Sequence, residues 1–448
     1  MKKISLILLV LALTSSCAPK SPIGKVKTIL GDIISNRQQA STLYVGLVQL
    51  QLPALLADAQ MVDGKAVIDE TAKAAVLAEQ EQVIQALKNI SPEIKILSTY
   101  KLVLNAVAFV APSDLADKIT QIKGVKRIIE NTNFDRPKVS STEQKLSELS
   151  STLENQNLND HNTVTFIGAD ILHKAGISGQ GMRVGIIDTG IDYTHAMLGG
   201  TGKKETYDSI DPSKASAFFP NQKVVGGVDF VGSEYFSGDP DVEKNIPHRD
   251  ENPLDEAGHG SHVGGTVAGI GDGVKTYSGV APDAKLYALK VFGKEGSTSD
   301  IAVIAALEYA ADPSEKTDPA DRLDVVNLSL GGGYGKPKIL YTEAIKNLTN
   351  GGTVVVASAG NSGDNPYIVG APSTADEAIS VAATIDDMPQ NVTIPAVGLK
   401  IGNAEEKLLE KVEGTVGSSA VDSHLTGTFV YIGNGADAIA EDIKTQVK

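Results

Sequence analysis

Val184-Gly185-Ile186-Ile187-Asp188-Thr189-Gly190 is a short apolar run that ends in a carboxylate and a turn. Four apolar residues followed by a turn suit a strand covered on both faces. Comparable runs recur at Lys285 to Val291, Val325 to Leu328 and Thr353 to Ser358, with helical stretches at Asp300 to Ala311 and Tyr341 to Leu348. Strands alternating with helices predict an α/β fold, a parallel sheet with helices on both faces, across residues 161–390. In such sheets reacting groups collect beyond the carboxyl ends of the strands, which is where Asp188 falls.

Outward from this block, composition narrows the options. The chain has 448 residues, a net charge of −15, 42% hydrophobic and 21% charged residues. That length allows two or three domains. The acidic balance argues against a nucleic-acid partner, which would demand basic patches. No internal run is long and apolar enough for a membrane-spanning helix of about 18 residues or more.

The N-terminus has the three parts of an export signal: Lys2-Lys3, the apolar run Ile4 to Leu13, and Thr14-Ser15-Ser16 before the single cysteine, Cys17. A lone cysteine forms no internal disulfide, so its position matters more than its number. The segment 1–17 resembles a bacterial lipoprotein signal, which implies lipidation of Cys17 and a membrane anchor; a plain cleaved signal is the alternative. Residues 18–41 would then be a tether.

Residues 42–136 alternate differently. Thr42 to Leu52 is strand-like and Pro53 ends it; Val67 to Lys88 carries apolar residues at helical spacing, among them Val76, Val83 and Leu87. Tyr100 to Val110 returns to strand composition. Asp114 to Ile122 reads as a short helix closed by Gly124, and Val125 to Glu130 as a final strand. This order predicts a small α+β domain of the ferredoxin-like kind. Residues 137–160, polar and without a core face, read as a linker open to cleavage.

Three further segments carry chemistry. Gly258-His259-Gly260-Ser261-His262-Val263 begins as a loop and continues into a helix of small residues, placing His259 at a helix start where it could shuttle protons near neutral pH. A zinc reading of His259 and His262 fails because the spacing and the missing Glu do not make His-Glu-x-x-His. An aspartic-protease reading of Asp188-Thr189-Gly190 needs a second such carboxylate, and the chain has none. The strand ending in Ala359-Gly360-Asn361 offers an amide that could donate to a developing oxyanion, or a structural turn. Ser329-Leu330-Gly331 follows another strand and could expose an edge to an extended peptide, or simply end the strand.

In order and context these four segments resemble the subtilisin-like serine proteases, the subtilases, over Ile167 to Thr384. The resemblance implies Asp188 as orienting acid, His259 as general base and Asn361 as oxyanion donor. It implies Ser329, Leu330, Gly331, Ala359 and Gly360 as walls of a cleft for polypeptide substrates. Residues 42–136 resemble the inhibitory propeptide of a zymogen. No cofactor is implied; a structural calcium is compatible with the family, and acidic loops such as Asp239-Pro240-Asp241 are possible contributors, with no metal ligand assigned.

The nucleophile departs from the pattern. Subtilases carry it in Gly-Thr-Ser-Met-Ala, whereas this chain offers Gly414-Thr415-Val416 and Gly427-Thr428-Phe429, with Ser418 and Ser419 in unrelated surroundings. Residues 391–448 weakly resemble the start of a protease-associated insertion. The expectation is a fragment of an exported endopeptidase whose serine is not among these residues. A serine-less, membrane-anchored peptide-binding protein is the alternative.

Overall fold

In the computed structural model, which describes residues 43–136, 163–271, 278–335, 339–363, 365–384, 397–399 and 407–409, the first strand is β1 (Leu43–Leu50). A small hairpin follows, β2 (Gln60–Val62) and β3 (Lys65–Val67), turned by Asp63 and Gly64 at φ of 50° and 75°. Helix α1 (Glu70–Ile90) starts where Asp69 accepts the Ala72 amide, so the helix begins three residues later than its apolar spacing predicts. Strands β4 (Lys95–Tyr100) and β5 (Ala106–Pro112), the short helix α2 (Ala116–Thr120) and β6 (Val125–Glu130) complete the domain. The single strand expected from Tyr100 to Val110 is therefore two segments with a loop between them.

The sheet order β4-β5-β1-β6, all antiparallel, is the ferredoxin-like arrangement. β5 is buried on both faces, and its residue sizes show how. Val107, Phe109 and Ala111 pack under α1 and α2, whereas the small Ala106 and Ala108 face the opposite way, into the core of the second domain.

A short strand β7 (Asn133–Asp135) leaves this domain. The second domain opens with α3 (Thr163–Phe166) and α4 (Ala169–Lys174), then β8 (Arg183–Asp188), α5 (Lys204–Asp208), β9 (Val224–Asp229) and α6 (His259–Ala268). Next come β10 (Lys285–Lys290), β11 (Ser297–Ser299), α7 (Asp300–Ala311), β12 (Val325–Leu328), α8 (Ile339–Asn350), β13 (Val354–Ser358) and β14 (Ile379–Val381). Six strands form one parallel sheet, β14-β13-β12-β8-β10-β9. From β8 the chain runs to the edge strand β9, returns through β10 beside β8, and then crosses to β12, β13 and β14 on the other side. The change of direction at β8 opens a crevice at its carboxyl end.

Alternation along β8 assigns the faces. Val184 and Ile186 pack with Leu286, Ala288 and Ala268 of α6, while Ile187 packs with Leu289, Leu328 and the apolar sides of α7 and α8. By the same parity Asp188 belongs to the α6 face. The exposed flank of α7 and α8 is covered by the first domain. Gln49 of β1 donates to both carboxylate oxygens of Glu343 at 2.8 and 2.7 Å, and Asn347 donates to Val103 O at 2.9 Å.

Residues 387–448 are a separate unit, of which β15 (Val397–Leu399) and β16 (Lys407–Leu409) are described as an antiparallel pair. Cys17, the segments 1–17 and 18–41, the linker 137–160, Ser418 and Ser419 lie outside the described residues. Among the described residues no helix is long and apolar enough to cross a membrane.

Candidate active site

Asp188 ends β8 with no solvent exposure, and His259 is the first residue of α6. The sheet and helix bring them together: His259 Nδ1 lies 2.7 Å from Asp188 Oδ1. A carboxylate accepts only, so Nδ1 carries the proton and the other ring nitrogen, Nε2, is the basic one. The imidazole side chain is 19% exposed. Asp188 Oδ1 also accepts the Thr189 amide at 2.7 Å, while its buried Oδ2 has no hydrogen-bond partner among the described residues.

The close approach depends on two glycines. A Cβ on Gly260 would run into the Gly190 carbonyl, and Gly190 itself has φ of 109° with its α-carbon facing the Pro253 carbonyl. Electrostatically, the hydrogen bond to Asp188 is the main cause that raises the His259 pKa above 6.5, against desolvation. Burial pushes the Asp188 carboxyl up, and the bond from His259 pulls it back.

The other expected residues stand at neighbouring strand ends. Ser329 Oγ accepts from Asn327 Nδ2 at 2.9 Å, Leu330 is buried, and Gly331 has φ of 151°. Ala359 donates to Val381 O at 2.8 Å, Gly360 has φ of 104°, and Asn361 is exposed. No hydrogen bond joins Asn361 to the Asp188 and His259 pair, and no serine hydroxyl among the described residues is bonded to His259.

Sequence reasoning missed the edge that holds an extended strand. β7 pairs antiparallel with β11, Phe134 opposite Thr298. Phe134 is 3% exposed, lies against Gly332 and meets the Tyr341 ring at a centroid distance of 6.0 Å. Thr132 donates to Asp300 Oδ2 from its amide at 3.0 Å and its hydroxyl at 2.6 Å, which fixes the strand's entry. Three hydroxyl residues in a row, Ser297-Thr298-Ser299, give no apolar signal by which to find this edge.

Phe134→Leu should weaken this seat by about 1–2 kcal/mol through lost apolar burial. Hydrogen exchange would show it as faster exchange of the β7 and β11 amides, with the parallel sheet unchanged.

In the acidic loop named as a possible calcium contributor, both carboxylates take part in turns of the chain itself. Asp239 accepts the Asp241 amide at 2.8 Å and faces Lys244 Nζ at 4.0 Å, and Asp241 caps a helical turn through the Glu243 amide. Among the described residues no group of three or more His, Cys, Asp or Glu side chains could hold a metal ion.

A doubly wound parallel sheet with an Asp–His pair at its carboxyl edge defines a class of α/β protein rather than one activity. The family model of the subtilases matches residues 179–430, more than half of the chain. The minor extracellular protease Vpr of Bacillus subtilis strain 168 is 33% identical over 357 residues, 80% of this chain and 38% of that protein. Subtilisin DY of Bacillus licheniformis is 32% identical over 240 residues, 53% of this chain and 69% of that protein. Subtilisin E of Bacillus subtilis strain 168 is 29% identical over 241 residues, covering 53% of this chain and 50% of that protein. The chain belongs to the subtilase family of serine-type endopeptidases. It spans little more than a third of Vpr and half of subtilisin E.

Proposed function

We propose that this chain supplies the acid, base and oxyanion donor of an exported serine endopeptidase made as a zymogen. The observation that carries the reading is the 2.7 Å bond between His259 Nδ1 and Asp188 at the mouth of the parallel sheet. Asp188 orients the ring and stabilises its cation, and His259 Nε2 takes the proton from a serine hydroxyl as its oxygen bonds to the scissile carbonyl carbon. The carbonyl electron pair moves to oxygen, where the Asn361 amide donates. Collapse expels the amine, which receives the proton from His259, and water then cleaves the acyl-enzyme by the same steps. Ser329, Leu330, Gly331, Ala359 and Gly360 line the cleft for a polypeptide.

In this reading residues 42–136 are the intramolecular inhibitor. The seat of β7 on β11, with Phe134 buried, supports it, because an extended strand there occupies an edge that a substrate would need. Processing falls in residues 137–160. The signal 1–17, with Cys17 as lipid attachment or with plain cleavage, places the protein in the cell envelope or outside it. The relative Vpr is named as an extracellular protease, which agrees with export.

Fluorophosphonate labelling of the native protein in its source cells tests this. Labelling at a serine outside the described residues is expected. A second reading, a nonhydrolytic peptide-binding protein, is favoured by one observation: the β11 edge and the Phe134 seat require no serine. Peptide binding without labelling or hydrolysis would replace the first reading with the second.

A further inference from the structure

We propose that Asp255 is the positioning residue for His259, holding the start of α6 and the Asp188 turn in one frame so that the imidazole meets Asp188 through Nδ1. The inference rests on the reading of Asp188 and His259 as acid and base.

The reason begins with a missing cap. α6 starts after Gly258, whose φ is 88° and which offers no side-chain acceptor. The first amides of a helix have no partner within it, and here they belong to the residues around His259. Asp255, 2% exposed, supplies the acceptors from outside the helix. Its Oδ1 accepts from Gly258 N at 2.9 Å and Ala257 N at 2.9 Å, and its Oδ2 from Ser261 N at 2.8 Å and Ser261 Oγ at 2.7 Å. With the one below these make five donors on a carboxylate that has about four lone-pair sites, so no acceptor capacity is left over.

The same carboxylate grips the other partner. Thr189 Oγ1 donates to Asp255 Oδ1 at 2.8 Å and accepts the Gly260 amide at 2.8 Å. Thr189 is the residue whose own amide donates to Asp188 Oδ1, and its carbonyl accepts from the buried Lys290 Nζ at 3.3 Å. Both neighbours of His259 are thus tied to Asp255, Gly258 directly and Gly260 through Thr189. Thr189 in turn is bonded to the carboxylate that His259 meets. A shift of Asp255 would move both ends of the Asp188 to His259 bond. Its charge also adds to the causes that raise the His259 pKa.

The experiment is proton and nitrogen NMR of the His259 ring in the full chain, assigned by its absence in His259→Ala. Four proteins are compared: unchanged, Asp188→Asn, Asp255→Asn and Thr189→Val. In the unchanged protein a far-downfield Nδ1 proton and an elevated ring pKa are expected. Asp188→Asn should abolish the proton signal and lower the pKa; if it does neither, the reading of the pair itself is wrong. With that control behaving, Asp255→Asn should broaden or erase the signal and lower the pKa. Thr189→Val, which keeps Asp255 but cuts the bridge, should do so to a smaller degree.

A merely structural Asp255 would lower the melting temperature and leave signal and pKa in place below the melt, and that result overturns the proposal. Should Asp255→Asn fail to fold, an unchanged signal in folded Thr189→Val overturns it equally.

Discussion

On the proposed reading, Asp188→Asn in the serine-bearing protein is expected to cut peptide hydrolysis by about 10⁴-fold while the sheet stays folded. The exchange is nearly isosteric at a residue with no solvent exposure, so packing around the end of β8 is preserved. What changes is the direction of the bond at His259 Nδ1. A carboxylate accepts from that nitrogen and forces the proton onto it, leaving Nε2 basic. An asparagine can turn its amide toward the ring and donate, which favours the opposite tautomer and places a hydrogen where the base is needed. Turnover of a chromogenic peptide at mildly alkaline pH is the measurement, and a loss smaller than tenfold would mean that His259 does not depend on Asp188.

The pH dependence follows from the direction of the His259 shift. Its pKa is raised, first by the hydrogen bond to Asp188 and then by charge, against desolvation. The stability this contributes is complete below the ordinary value of 6.5 and is lost as pH rises through the elevated folded-state value. Activity runs the other way, since the base works only when neutral, so hydrolysis grows through the same interval. In Asp188→Asn the main cause of the elevation is gone, and the residual acid limb moves to lower pH.

How much of this could be read in advance depends on what fixes each element. β8, β12 and α7 are set by their own apolar patterns, and His259 opens α6 where the glycines before and after it suggest. β9 escaped because Gly226 and Gly227 interrupt its pattern; the Tyr287 ring and the Ala288 backbone lie so close that neither position has room for a Cβ. The hairpin of β2 and β3 was missed, although Asp63-Gly64 is a pair suited to positive φ, because the helical spacing of the residues after it drew Val67 into α1. Asp188 and His259 are chemistry-bearing residues in telling surroundings. Asp255 is an acid in a loop, and its part emerges only when the amides of residues 257, 258 and 261 are seen to converge on it.

The split between β4 and β5 has a cause some 200 residues away, and it carries the other large expectation. Glu308 of α7 accepts from three successive amides: Lys101 at 2.7 Å, Leu102 at 2.9 and 3.1 Å, and Val103 at 2.9 Å. Those donors cannot serve a strand, so the chain turns there, with Leu102, Val103 and Leu104 buried against the second domain. Glu308→Ala leaves the three amides without an acceptor. At about 1–3 kcal/mol for each buried donor, with water entering to offset part, the loss of docking stability should reach about 3–6 kcal/mol. Glu308→Gln keeps an acceptor oxygen and should cost less than Glu308→Ala.

Acidification should not mimic the deletion. Burial is the main cause that raises the Glu308 pKa above its ordinary value of 4.5, so this group's contribution is fullest below that value and declines as pH rises through the folded-state one. Hydrogen exchange of amides 101–103 and a denaturant melt read the result. Unchanged protection in Glu308→Ala would show that the first domain is held on α7 by its apolar face alone, Tyr100, Leu102, Val103, Leu104, Ala106 and Ala108, and that the carboxylate only shapes the loop.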